Sequence, residues 1–155
     1  MRQWASRWCW AACGEMIARA VTGADIDQHA IARPMLVRYE CNVDRGWPED
    51  VDISVTDDDL DAMFGDCGLR HRRDERALTM QELDGELQAG RPVMVALLRP
   101  HGAAHLFVVA GAADQNRYRI LDPKRGELEE SYETLVASSF GTWHASWWRF
   151  EAASR

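Results

Sequence analysis

The sequence predicts an α+β fold, because its hydrophobic periodicity changes character near Gly90. Before that point apolar residues recur at helical spacing; after it they gather in short runs separated by turn residues. A chain of 155 residues, 46% hydrophobic and 28% charged, is long enough to bury a core without covalent staples. It is read as one domain over 1–155, with a helical lobe over about 1–90 and a sheet lobe over about 91–155. No low-complexity tract or internal repeat interrupts it.

In the first part, Ala12, Cys13, Met16, Ile17 and Ala20 share a helical face, and Thr22-Gly23 stops the run, so a central buried helix is expected from Cys9 to Val21. Asp25 or Asp27 caps a second helix carrying Ile31, Met35 and Leu36, with Pro34 limiting or kinking it. Residues 40 to 56 read as loop. Thr56 caps a helix over Asp57 to Phe64, whose early acids suit the helix dipole; Thr79 with Glu82 forms a capping box for a helix through Leu83 and Leu87, closed by Gly90.

In the second part, Pro92 to Leu98 is apolar throughout, as in a strand buried on both faces. Pro100-His101-Gly102 turns, and His105 to Ala110 forms another strand ended by Gly111. Asp114-Gln115-Asn116 is a hairpin turn into Tyr118 to Leu121, which Asp122-Pro123 breaks. Glu130 to Ser138 is expected to be helical, and Thr142 to Phe150, with Trp143, Trp147 and Trp148, closes the sheet.

Charge narrows the function. A formal net charge of −7 argues against general binding to nucleic acid or an anionic membrane. The one basic run, Arg70 to Arg73 with Arg76, is interleaved with acids and reads as a solvated face. No apolar run approaches the roughly 20 residues of a membrane-spanning helix. Met1 to Cys13 lacks the apolar core and cleavage site of a secretory signal, so synthesis in a reducing cytosol is the expectation, with export by a route without a cleaved signal left open.

The chemistry centres on Gln3-Trp4-Ala5-Ser6-Arg7-Trp8-Cys9-Trp10, where a cysteine between two tryptophans begins a helix. The positive end of a helix dipole favours thiolate, so Cys9 is a candidate nucleophile if a histidine reaches it. Of the five histidines, His105 stands out: it opens an apolar strand after the small loop Gly102-Ala103-Ala104, where a second group has room to approach. Asp122 ends the next strand and could accept the other imidazole N–H. Gln3 could point its amide at a developing oxyanion, together with the Cys9 backbone N–H.

Other patterns compete. Cys9 and Cys13 with a histidine could hold zinc, but the spacing departs from C-x₂-C. Asp50, Asp52, Ser54, Thr56, Asp58 and Asp61 mimic a calcium loop, yet Val55 stands where glycine is required. No cofactor or metal is therefore expected. Trp8 and Trp10 either fill the core or wall off the thiol.

In the order Gln…Cys…His…Asp, from Gln3 through Trp8-Cys9-Trp10-Ala11-Ala12 and His105 with Val108-Val109 to Leu121-Asp122-Pro123, the chain resembles the papain-like cysteine peptidases. The resemblance is nearest the compact bacterial avirulence-protease branch and more distant from the double-glycine leader peptidases. It implies a papain-like fold, with a helical N-terminal lobe whose central helix packs on a C-terminal antiparallel sheet. It makes Cys9 the nucleophile, His105 the base, Asp122 the orienter and Gln3 the oxyanion donor. Cys13 stands where many relatives carry a small residue, either as core packing or as a resolving thiol. The implied activity is a cysteine endopeptidase acting on a protein or peptide through an acyl-enzyme thioester, as a bacterial effector or toxin with an immunity or inhibitor protein as counterpart. Another thiol acyl transfer (deamidase, transglutaminase or amidase) and an inactive binding module are the alternatives.

Overall fold

Local signals settle most of the helices. The structure, a computed structural model, describes residues 1–41, 53–114 and 116–154. Helix α1 (Cys9–Thr22) is buried continuously from Trp10 to Ala18, and Gly23 closes it in the left-handed conformation with its N–H on the Arg19 carbonyl. Small residues on α1 let its neighbours close in: a Cβ placed on Gly14 would meet Met63 at 3.1 Å and Ile31 at 3.2 Å. Those side chains belong to α3 (Asp57–Asp66) and α2 (Gln28–Arg38). Asp27 rather than Asp25 caps α2, accepting from the Ala30 N–H, and Pro34 lies inside the helix. Thr56 with Asp59 caps α3, and Thr79 with Glu82 caps α4 (Met80–Gln88), each a reciprocal capping box.

The sheet is antiparallel. Its strands are β1 (Leu69–Asp74), β2 (Val93–Leu98), β3 (Ala104–Ala112), β4 (Arg117–Asp122), β5 (Gly126–Ser131), β6 (Ala137–Ser138) and β7 (Gly141–Ala152). Their order across the sheet is β1-β7-β2-β3-β4-β5, with β6 paired to β7. The last strand in sequence thus runs between β1 and β2, and its tryptophans enter the core instead of an edge.

The apolar run predicted as a doubly buried strand is β2. Its side chains alternate between two cores: Met94 and Ala96 join α1, α2 and α3, while Val93, Val95 and Leu97 join Leu83 of α4 and Leu135 of α5 (Tyr132–Val136) on the other face. Leu106 and Val108 of β3 divide from Phe107 and Val109 in the same way. The α+β arrangement, with helices before a C-terminal antiparallel sheet, is as the sequence predicts.

Two segments differ from expectation. The arginine run is an edge strand as well as a solvated face. His71 of β1 turns inward onto Phe64 and Phe150, while Arg70 is held outside by Glu151 and Arg72 by Asp74. The sheet thus takes its β1 edge from before residue 90. The helix expected over Glu130–Ser138 shrinks to α5, because the residues before it alternate: Leu128 packs inward, and Glu127 and Glu129 face Arg119 and Arg117 of β4. Most of the loop expected over 40 to 56, including Asp50 and Asp52 of the calcium-like pattern, and Gln115 of the hairpin turn lie outside the described residues.

Candidate active site

Three elements bring Cys9, His105 and Asp122 together. Cys9 is the first residue of α1, and neither a capping side chain at Trp8 nor an acid in the first turn offsets the positive helix end there. His105 sits one residue inside β3, after a tight turn closed by Gly102 N–H on Arg99 O (2.9 Å) and Arg99 N–H on Ala103 O (3.1 Å). Gly102 takes a φ of +81°, which a side chain would strain. Register places the third group: Val108 pairs with Leu121, so Asp122 stands diagonally across from His105.

The His105 Nε2 lies 3.0 Å from each Asp122 carboxylate oxygen. That leaves Nδ1 to the ring's second side-chain hydrogen-bond partner, the Cys9 thiol. Asp122 is fully buried, and its oxygens also accept from Lys124 N–H (2.8 Å), Arg125 N–H (3.0 Å) and Arg125 Nε (2.9 Å). An ionised carboxylate only accepts, so the proton on Nε2 is fixed and Nδ1 is the nitrogen that can take a thiol proton. Burial alone would raise the Asp122 pKa, but the His105 hydrogen bond and the donors of Arg125 hold it well below the ordinary carboxylate range. Burial pulls the His105 pKa down, and its bonds to Asp122 and Cys9 outweigh this, leaving it raised.

Gln3 is brought near by the backbone. Its N–H donates to the carbonyl of Pro123, next to Asp122, at 3.1 Å. Its side-chain nitrogen is turned to its own segment, donating to Ala5 O (2.7 Å) and Ser6 O, and its Oε1 is buried without a partner. In this arrangement both amide hydrogens are engaged within the loop that leads to Cys9.

One positioning residue was not singled out from the sequence. Gln28 is fully buried; its amide donates to Arg2 O (2.9 Å) and accepts from Trp4 N–H (3.1 Å), clamping the backbone on both sides of Gln3. The signal was there in principle, since Gln28 precedes Ile31 and Met35 by three and seven residues on the inward face of α2.

Cys13, one turn along α1, is completely buried, and burial followed by the charges of Cys9 and Asp122 pushes its thiol well above the ordinary value. Core packing accounts for it. Trp8 packs against His29 and Trp10, while Trp10 lines the hollow over the thiol and donates to Ile53 O (3.2 Å). That hollow, about 410 Å³, also takes Ala96 and the Gly102–His105 segment into its wall. Among the described residues no three His, Cys, Asp or Glu side chains are placed to share a metal ion.

Known proteins place the chain. No curated protein sequence matches it. Among solved structures, the peptidase domain of Streptococcus ComA, a bifunctional ABC transporter involved in quorum sensing, superposes with a TM-score of 0.68 at 16% identity, over 99% of this chain and 97% of that one. A double-glycine-motif protease from an AMS/PCAT transporter, solved in complex with its leader peptide, gives 0.58 at 17% identity, over 99% and 90%. The Streptococcus mutans ComA peptidase domain gives 0.55 at 16% identity, over 96% of each chain. These likenesses establish a papain-like fold. A family model described as papain-like cysteine protease AvrRpt2 matches residues 1–146, and the chain belongs to that family of cysteine peptidases.

Proposed function

We propose that the chain is an endopeptidase that cleaves peptide bonds through a Cys9–His105–Asp122 triad and an acyl-enzyme thioester. The observation that carries this reading is the His105 ring, held on one side by Asp122 and on the other by the Cys9 thiol, at the wall of an open hollow. His105 takes the thiol proton as Cys9 Sγ attacks the scissile carbonyl carbon. It then gives that proton to the departing amine, and water, activated by the same imidazole, releases the acid. Asp122 stays ionised throughout and keeps the ring oriented.

The oxyanion has two proposed donors. One is the Cys9 backbone N–H at the open end of α1. The other is the Gln3 amide, which must first turn away from Ala5 and Ser6. Peptide as the substrate class is supported by family membership and by the leader peptide bound to the AMS/PCAT relative. Use as an effector or toxin, with an inhibitor or immunity protein as counterpart and the cytosol as the place of synthesis, belongs to the same proposal. A neighbouring gene for a secretion component or immunity partner would support it.

The test is an epoxysuccinyl or chloromethyl-ketone electrophile, with the adduct weighed and mapped. A single adduct on Cys9 is expected, because Cys13 is buried and the Cys67 thiol is pushed up to about 11 by burial and then by Asp66. Labelling of Cys41 or Cys67 with Cys9 untouched contradicts the mechanism.

A further inference from the structure

A second hollow of about 410 Å³ is also lined by His105. It shares Arg99, His105 and Lys124 with the hollow over the thiol but does not include Cys9. Leu97 and Phe140 give it an apolar wall, and Phe140 is 58% exposed. If Cys9 bonds to the acyl half of a substrate and His105 protonates the departing amine from Nδ1, the half that leaves starts beside that nitrogen and runs past the imidazole away from Cys9. The second hollow, which His105 lines and Cys9 does not, is open to the residues after the scissile bond.

Its charge is one-sided. Arg99, Lys124 and Arg125 line it, and no carboxylate does so among the described residues. Arg125 is committed, with Nε on Asp122 at 2.9 Å and its guanidinium 5.0 Å over the Phe140 ring. Arg99 and Lys124 have no carboxylate partner among the described residues. This is unusual for this chain, whose nearby strand arginines are neutralised across the sheet, Arg117 by Glu129 and Arg119 by Glu127. It is also local, since the whole chain carries a formal charge of −7 and Lys124 is its only lysine. By contrast, the hollow over the thiol sets Asp57 against its cations.

We infer that the second hollow is a subsite for the leaving side of the substrate and selects an acidic residue there, with Arg99 and Lys124 as the residues that set the choice. The inference rests on the proposed triad. Both side chains reach solvent at the cleft rim, so each contact is a partly screened ion pair, and together they are worth about three- to tenfold in kcat/KM. Opposite charge near the cleft also raises the encounter rate at low salt.

The experiment is a proteome-derived peptide library digested by the full chain, with product ends read by mass spectrometry, followed by matched peptides carrying Glu or Gln after the scissile bond. Wild type is expected to enrich Asp and Glu among the first few leaving-side positions and to cleave the Glu peptide about three- to tenfold faster. Arg99→Glu/Lys124→Glu should reverse that ratio and favour Lys over Gln. Should the double variant not fold, salt decides the matter on wild type alone. The Glu/Gln ratio should fall towards one as the Debye length shrinks from about 10 Å at 0.1 M to about 3 Å at 1 M.

A Glu/Gln ratio of one for wild type at low salt, or the same ratio in wild type and variant, overturns the inference while leaving the triad standing. Wild type that cleaves no library peptide, behaving like Cys9→Ala, overturns the triad and this inference together.

Discussion

Two histidines in this fold each donate Nε2–H to a carboxylate, yet their other ring nitrogens meet different surroundings. His105 meets Asp122 at 3.0 Å; His71 meets Asp61 at 2.8 Å. Both rings are inside the fold, and both aspartates are held by further donors, Asp61 by Trp147 Nε1 (2.8 Å) and Arg73 (2.9 Å). The difference lies at the remaining nitrogen. His105 Nδ1 faces a thiol beside an open hollow, whereas His71 Nδ1 is buried without a partner between Phe64 and Phe150. A histidine–aspartate bond alone therefore marks nothing. It becomes a site when the other ring nitrogen has a nucleophile and a way out to substrate.

The largest loss of activity is expected at the imidazole of His105. His105→Ala should lower kcat/KM for a cleavable peptide by about 10⁴-fold, because nucleophile activation and leaving-group protonation vanish together. Asp122→Asn keeps the shape but removes the charge, and should cost about 10²- to 10³-fold. Asp122 also raises the His105 pKa, so in Asp122→Asn the acidic limb of the pH–rate profile, where protonation removes the base, should move to lower pH. An unmoved limb would show that Asp122 does not set the charge on His105.

Stability should respond at still lower pH. Asp122 is depressed in the folded state, so its contribution is present above the unfolded carboxylate value of about 3.9 and is lost as pH falls towards its folded value. The wild-type advantage over Asp122→Asn in urea midpoint should therefore shrink as the pH drops below about 4.

The oxyanion side separates contact from support. Gln3→Ala should cost about 10²- to 10³-fold in kcat if its amide turns to the oxyanion. A loss near tenfold or less would mean that Gln3 only braces the loop through Ala5 and Ser6. Gln28→Leu keeps the Gln3 side chain but frees the backbone around it, and about tenfold is expected, with electrophile labelling of Cys9 little changed. The smallest effect on rate belongs to the other histidine. His71→Ala should leave peptide cleavage within about twofold while costing about 2–4 kcal/mol of stability, read by denaturant titration, since it empties space between two phenylalanines and removes a buried bond.

Much of this was legible in the sequence where one residue type has one physical job. Thr56 and Thr79 announced helix starts, Asp25 or Asp27 narrowed a third to two residues, Gly23 and Gly90 announced ends, and the unbroken apolar run before Leu98 announced a strand covered on both faces. Strands stabilised by charge were not legible. β1 and β5 lie at the two ends of the strand order, and Arg70 of β1 and Glu127 and Glu129 of β5 find their partners across the sheet, so neither strand shows a hydrophobic pattern strong enough to read. The site divides in the same way. Cys9, His105 and Asp122 stood out because each lay at the end of an element. Gln28 and Arg125 did not, because they act on the backbone of Arg2 and Trp4 and on Oδ2 of Asp122, and such contacts exist only after folding.

In the proposed reaction the Cys9 sulfur carries the acyl half of a cut peptide. Rapid mixing with a cleavable peptide, an acid quench within the first turnover and mass analysis of the digested chain measure this directly. The acyl fragment's mass is expected on the segment containing Cys9, absent in Cys9→Ala and accumulating when deacylation is slowed. Cleavage that persists in Cys9→Ala, or acyl mass found on another residue, would contradict the proposed reaction.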